Sequence, residues 1–251
     1  MAVSQIAASA SNADVPDNDY IAKHKPLPLT AVPLRKIFSG PTCRQMLQCG
    51  SHLTVRMFCM IIMVNSFMHQ SSAFGGELLA ANSILFQIQF IMGDILTGLS
   101  QAGAIYSGIA FGEHDRSMLN DTLRISFIWA IGFGLLQTVG YYCCRHAILG
   151  CFTNLHSVIA TAQQYDLFIA FFPLISALGI VYYGVFNGAL YTKPICISML
   201  LTAGCYLTAY FTLIPLYGNI GLWLAFLIFY IARSSFLLFF VPKLQQKVAL
   251  A

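Results

Sequence analysis

The chain has 251 residues, of which 58% are hydrophobic and 9% charged, against about 25% charge in soluble domains, so an ordinary soluble domain is excluded. A mean hydropathy of +0.73, with 20 Phe and 12 Tyr, describes a chain solvated mainly by lipid. The net charge of +4 sits mostly in the tail and loops. No basic stripe is interleaved with stacking aromatics, so nucleic acid is not an expected partner.

Residues 1–40 hold Pro16, Pro26, Pro28 and Pro33 and little periodicity, which predicts a polar, disordered tail. Asp14, Asp17 and Asp19 stand where a cleavable signal peptide would need an apolar stretch, so insertion is expected to begin with the first hydrophobic span. From His52 onward the chain reads as apolar blocks near the roughly 20 residues that a helix needs to cross the bilayer. The predicted spans are 52–72, 78–111, 121–144, 160–190, 194–216 and 219–240, inside a lobe of residues 41–243, with 244–251 as a short cytoplasmic tail. The fold class is therefore an all-α membrane protein of about six transmembrane helices. The second and fourth spans exceed one crossing and are expected to tilt, protrude or bend, the second at Gly93, Gly98 and Gly103. Polar punctuation separates the blocks at 72–77, 112–116, 145–156, 191–194 and 217–219, and Pro194 suits the first turn of a helix.

Counting Lys and Arg by alternate sides tests the spans independently. With a cytoplasmic N-terminal tail, Arg116, Arg124, Lys193, Lys243 and Lys247 fall inside and Arg145 outside, which predicts a cell-membrane protein with both termini cytoplasmic. The sequon Asn120-Asp121-Thr122 then lies in a cytoplasmic loop and should remain unmodified.

Intramembrane polar residues are the candidates for function. Asp94 lies near the middle of the second span, where a carboxylate costs at least about 2.5 kcal/mol and usually faces a cavity or a partner. Gln87 and Gln101 are seven residues before and after it, two turns away on nearly the same face. Such a row serves either a cavity wall or a helix–helix polar seam. Arg233, within the last span, either pairs with Asp94 or snorkels to a headgroup. Asp166 and Gln163-Gln164 stand near the outer end of the fourth span, where solvation is cheap. Asn65, His69, Asn82, Asn187 and Asn219 add hydrogen-bonding groups, and Tyr106, Tyr182, Tyr183, Phe171 and Phe172 add aromatic surface, a composition suited to a cationic or amphipathic organic ligand. The pairs Gly108/Gly112 and Gly184/Gly188 have the small-xxx-small spacing of close helix contacts.

Other chemistries lack parts. The eight cysteines, Cys43, Cys49, Cys59, Cys143, Cys144, Cys151, Cys196 and Cys205, form no paired metal-ligand spacing and mostly lie in apolar runs, so no metal site is expected. No phosphate-binding loop, His-Glu-x-x-His or Gly-x-Ser-x-Gly elbow occurs. His114-Asp115 reads as a solvated turn, and neither an enzyme nor a cofactor is expected.

The stretch Leu78-Leu-Ala-Ala-Asn-Ser-Ile-Leu85, the helix ending Gly108-Ile-Ala-Phe-Gly-Glu-His-Asp115, then Phe152-Thr153, Phe172-Pro173-Leu174, Gly188-Ala-Leu-Tyr-Thr-Lys193, Gly218-Asn-Ile-Gly-Leu-Trp-Leu-Ala225 and Ala232-Arg233 follow one another in a meaningful order. Together they resemble the C-terminal half of the DinF-like branch of the multidrug-and-toxin-extrusion (MATE) family, over about residues 34–240. The resemblance implies one six-helix lobe of a two-lobe transporter facing a central cavity. It implies proton- or sodium-coupled antiport that exports small organic compounds, and a partner in the form of a second lobe or a homodimer. The chain departs from the branch at Thr97-Gly98, Ala104 and Tyr183-Gly184, where relatives usually carry acidic residues, so the family's proton-binding residues are not carried over to these positions. The alternative reading is a non-transporting membrane interaction protein, a remnant lobe packed against a partner.

Overall fold

A computed structural model describes residues 41–250, and those from Gln48 onward pack as one compact unit. The tail expected over residues 1–40 lies outside the described residues. Among the described residues the elements are α1 (Pro41–Ala73), α2 (Gly76–Gly112), α3 (Arg116–Phe152), α4 (His156–Gln163), α5 (Asp166–Gly188), α6 (Lys193–Tyr217), α7 (Asn219–Leu238) and α8 (Val241–Leu250). Six apolar segments are long enough to cross a bilayer: Met46–Ala73 in α1, all of α2, α3, α5 and α6, and Asn219–Lys247. The chain is an all-α, multi-pass membrane protein.

The boundaries differ from expectation in four places, the first being α1, which starts at Pro41 where the first span was expected from 52. The predicted fourth span, 160–190, is divided: α4 ends at Gln163 and α5 starts at Asp166, while Thr161 Oγ1 donates to Glu77 Oε1 at 2.7 Å and ties α4 to the start of α2. The third helix is longer than 121–144 and matches α2 at 37 residues, about 55 Å at 1.5 Å per residue, so both reach beyond the hydrocarbon. The helix α8, Val241–Leu250, covers most of what was expected as a short tail and is docked through its described side chains. Leu244 is fully buried, and Gln245 Nε2 donates to Asn120 Oδ1 at 2.9 Å.

The turns follow from their residues. His114 and Leu190 occupy the left-handed region, with φ of 56° and 50°, and the N–H groups of Asp115 and Tyr191 reach back to the carbonyls of Ala110 and Phe186, each at 3.0 Å. Both α2 and α5 thus end in a Schellman-type turn. Asp115 then caps α3 by accepting from the Met118 N–H at 3.0 Å.

The centre of the bundle is α5, whose apolar stretch is 67% buried against 11% for α1. Its glycines set the approach to α2: a Cβ at Gly184 would overlap the Ser100 carbonyl, and one at Gly188 the Ala104 carbonyl. Gly103, expected as a bending point, instead faces Val185 and Ser126 across the contacts with α5 and α3, and α2 is unbroken. Between α1, α2 and α7 the rings of Phe67, Phe86, Trp223 and Phe226 pack with centroids 5.0–5.7 Å apart. Beside them the Asn82 amide donates to Ser71 Oγ at 2.6 Å and to Asn219 Oδ1 at 2.7 Å, and its oxygen accepts from Trp223 Nε1 at 3.1 Å. One buried amide thereby joins three helices, which satisfies polar groups that lipid cannot.

His52 Nδ1 lies 3.0 Å from Thr192 Oγ1, so the part of α1 around His52 lies beside the start of α6. Lys247 stands over the Phe111 and Tyr191 rings at the same end. The opposite end carries the pair Arg145–Asp166, at 3.4 Å with Asp166 almost fully buried.

Candidate functional site

Asp94 stands midway along α2 and lines a cavity of about 470 Å³ walled by α1, α2, α5 and α7. The helical repeat brings Gln89, Gly93 and Thr97, four residues apart, to this wall together with Phe90 and Asp94. Gly93 leaves room there, since the nearest atom to a Cβ built on it is Gln89 Nε2 at 3.9 Å. The Thr97 hydroxyl is satisfied within the helix by the Gly93 carbonyl at 2.9 Å.

The other walls are more basic than the sequence led one to expect. From α1 comes Arg56, whose guanidinium carbon is 4.0 Å from the centroid of the Tyr183 ring of α5. Its Nη1 approaches Met57 Sδ at 3.5 Å, and its Nε is buried with no hydrogen-bond partner. From α7 come Tyr230 and Arg233. Tyr230 Oη accepts from Gln89 Nε2 at 3.3 Å, while Gln89 Oε1 is buried without a partner. Arg233 is only 7% exposed. The polar bonds formed around it, Gln89 to Tyr230 and Ser234 to Ile175, do not involve it.

The expected pairing of Arg233 with Asp94 is not formed. Both line the same cavity, but the only ion pair within 4.0 Å among the described residues is Arg145–Asp166. Snorkelling does not describe Arg233 either, because its side chain is enclosed by protein. Gln87 and Gln101 are exposed on the same side of α2 as Asp94, as their spacing requires, yet neither lines the cavity. Asn187 is partly buried near the end of α5, away from it. A second cavity of about 520 Å³ opens between α2 and α3, with Tyr106, Asp115, Asp121 and Trp129 in its wall.

Sequence reasoning missed Arg56, Gln89 and Tyr230 as members of one site. Arg56 does give a signal in the sequence, since it is a basic residue inside the apolar block that starts at His52. Gln89 shares the second span with Asp94 but lies outside the seven-residue row of Gln87, Asp94 and Gln101, whereas the cavity wall follows a four-residue one.

A family model described as MatE matches residues 53–212. DNA damage-inducible protein F of Escherichia coli (strain K12) is 25% identical over 191 residues, 76% of this chain and 41% of the relative. Among solved structures, a multidrug resistance MATE family transporter of the MOP superfamily in an outward-facing conformation superposes with a TM-score of 0.66 at 17% identity, over 79% of this chain and 45% of that one. A MATE structure in the bent conformation gives 0.67 at 16% identity, over 81% and 46%. A MOP superfamily transporter from Pyrococcus furiosus gives 0.66 at 17% identity, over 78% and 44%. At these identities the structures show a shared fold. The chain spans less than half the length of the relatives it matches.

Proposed function

Because the chain belongs to the MatE family, we propose that it forms one six-helix lobe of a secondary transporter that exports small amphipathic organic compounds by alternating access, driven by a proton or sodium gradient. The observation that carries this reading is the polar cavity: a 470 Å³ space midway along α2 holding Asp94, Gln89, Arg56 and Arg233 between apolar walls. Ionisable groups at membrane depth are costly and mark ion or substrate routes. Asp94 is the coupling group of this lobe, because it is the one carboxylate in the cavity wall.

Gln87, Asp94 and Gln101 present a polar row on an exposed face of α2. Leaving that row against lipid costs several kcal/mol, so it faces a second lobe, supplied by another chain or by a second copy related by a two-fold axis along the membrane normal. Asn187, one turn beyond Tyr183 and outside the cavity wall, is left as a pathway residue that only its own substitution would test. The basic end of the bundle, with Lys193, Lys243 and Lys247, faces the cytoplasm. The rival reading, a lobe that only packs against a partner, draws on the same exposed face of α2.

The test is substrate-dependent proton or sodium flux from the full chain reconstituted in liposomes, with Asp94→Asn compared. The carboxamide keeps the size and hydrogen-bonding capacity of Asp94 and removes its charge. Flux that is lost or uncoupled in a folded Asp94→Asn protein supports the reading. Absence of flux favours the packing role, and coupled flux unchanged in Asp94→Asn removes Asp94 from the mechanism.

A further inference from the structure

We propose that the cavity between α1, α2, α5 and α7 is an anion site, taking a singly charged carboxylate or phosphodiester group on an apolar body and holding it between Arg56 and Arg233. The proposal rests on reading this cavity as the lobe's ligand site and adds the charge of what enters it.

The charged groups in the wall are Arg56 from α1, Asp94 from α2 and Arg233 from α7, with Tyr183 of α5 and Tyr230 of α7 as the other titratable groups. Two guanidinium groups therefore face one carboxylate, and neither guanidinium reaches that carboxylate or any other among the described residues within 4.0 Å. An uncompensated buried charge is strongly unfavourable. Here Arg233 is 93% buried by its exposure of 7%, and the Arg56 Nε is buried and unpaired. A monoanion would balance the excess charge of the wall and give both groups a partner.

The geometry also selects the kind of anion. Tyr183 covers the flat face of the Arg56 guanidinium, and stacking of that sort does not use the in-plane N–H donors, of which Nη1 has only the weak acceptor Met57 Sδ at 3.5 Å. Those donors form the fork that matches the two oxygens of a carboxylate or phosphodiester. Met60, Ile61, Val64 and Ile180 form the apolar part of the wall and suit a hydrocarbon or aromatic body. An organic ammonium would instead meet two like charges and find only Asp94. The cationic cargo expected from aromatic content is thus not the one that the charges of this wall favour.

The carboxylate and phosphodiester have two sources, a soluble organic acid and an anionic lipid, and one experiment separates them. The full chain is placed in phosphatidylcholine nanodiscs, and the binding of 2-naphthoate is compared with that of 2-naphthylmethylammonium by titration calorimetry, in the presence and absence of phosphatidylglycerol. Retention of phosphatidylglycerol is followed by native mass spectrometry. The expected result is naphthoate affinity at least tenfold above that of the ammonium. R56Q and R233Q lower it at least tenfold, R233K lowers it less, and D94N raises it. Naphthoate displaced by phosphatidylglycerol, or phosphatidylglycerol retained only when both arginines are present, identifies the lipid as the source; naphthoate binding indifferent to that lipid identifies a soluble acid. Thermal unfolding reports which variants fold, and if the glutamine variants do not, R233K and D94N carry the test. The proposal is overturned if the ammonium binds as tightly as naphthoate, if folded R56Q and R233Q bind naphthoate like the wild type, if D94N weakens binding, or if neither anion binds in an arginine-dependent way. Anion binding without coupled flux would keep this site and remove the transport reading. Coupled flux of a cation without anion binding would do the reverse.

Discussion

The guanidinium carbon of Arg56 lies 4.0 Å from the centroid of the Tyr183 ring, and this contact joins α1, the most exposed span, to α5, the most buried. Away from water such a pair contributes about 1–2 kcal/mol. Tyr183→Phe keeps the ring and should leave the unfolding of the full chain in mild detergent almost unchanged, whereas Tyr183→Leu should lower its stability by about 1–2 kcal/mol. Equal effects of the two substitutions would remove the ring as the cause.

The glycines of α5 separate packing from flexibility. A Cβ at Gly184 or Gly188 would run into a backbone carbonyl of α2, which only a helix shift relieves. Gly184→Ala and Gly188→Ala should each destabilise by about 1–3 kcal/mol. Gly132 and Gly204 have no atom within 4 Å of a built Cβ, so alanine there should be neutral or stabilising by up to about 1 kcal/mol. Thermal unfolding of the four variants side by side checks the contrast, and a benign Gly188→Ala would contradict the close α2–α5 approach.

Asn82 joins three helices through Ser71, Asn219 and Trp223. Asn82→Leu keeps the volume but leaves the indole N–H and the Asn219 amide without their partner, which costs about 1–3 kcal/mol. Asn82→Asp keeps acceptors and loses the donors to Ser71 and Asn219. Both should unfold at lower temperature than wild type, and an unchanged Asn82→Leu would show that water reaches the network.

The sidedness of the bundle is tested by Glu113→Cys and Leu155→Cys, one in each of the turns that flank α3 and both exposed. A membrane-impermeant thiol reagent should label position 113 from the cytoplasmic side and position 155 from the opposite side. Asn120, the fifth residue of α3 at the same end and bonded to Gln245, should carry no glycan in a glycosylating host. Labelling of both positions from one side would break the six-span topology.

The spans were legible because crossing lipid demands long apolar runs, and α2, α6 and α7 begin within a few residues of where the polar punctuation places them. The break before α5 was not, because Tyr165 and Ala162 carry no glycine or proline signal and the N–H of Tyr165 simply turns back to the Ala162 carbonyl at 3.0 Å. Likewise α8 reads as a polar tail until Leu244 is seen to be buried. Of the site, Asp94 and Arg233 were recognisable as costly intramembrane charges. That Arg56 joins them depends on how α1 leans on α5 and α7, which is a matter of tertiary packing that no spacing within α1 encodes.

Thr97, exposed and in the cavity wall beside Asp94, permits the most direct test of the cavity as an alternately exposed route. In a full chain whose eight native cysteines are replaced, Thr97→Cys is reconstituted and labelled with a membrane-impermeant thiol reagent from each side in turn, with the proton or sodium gradient imposed in either direction. The account predicts labelling from both sides, with the favoured side reversing as the gradient reverses. Labelling from one side only, whatever the gradient, or from neither, would contradict it.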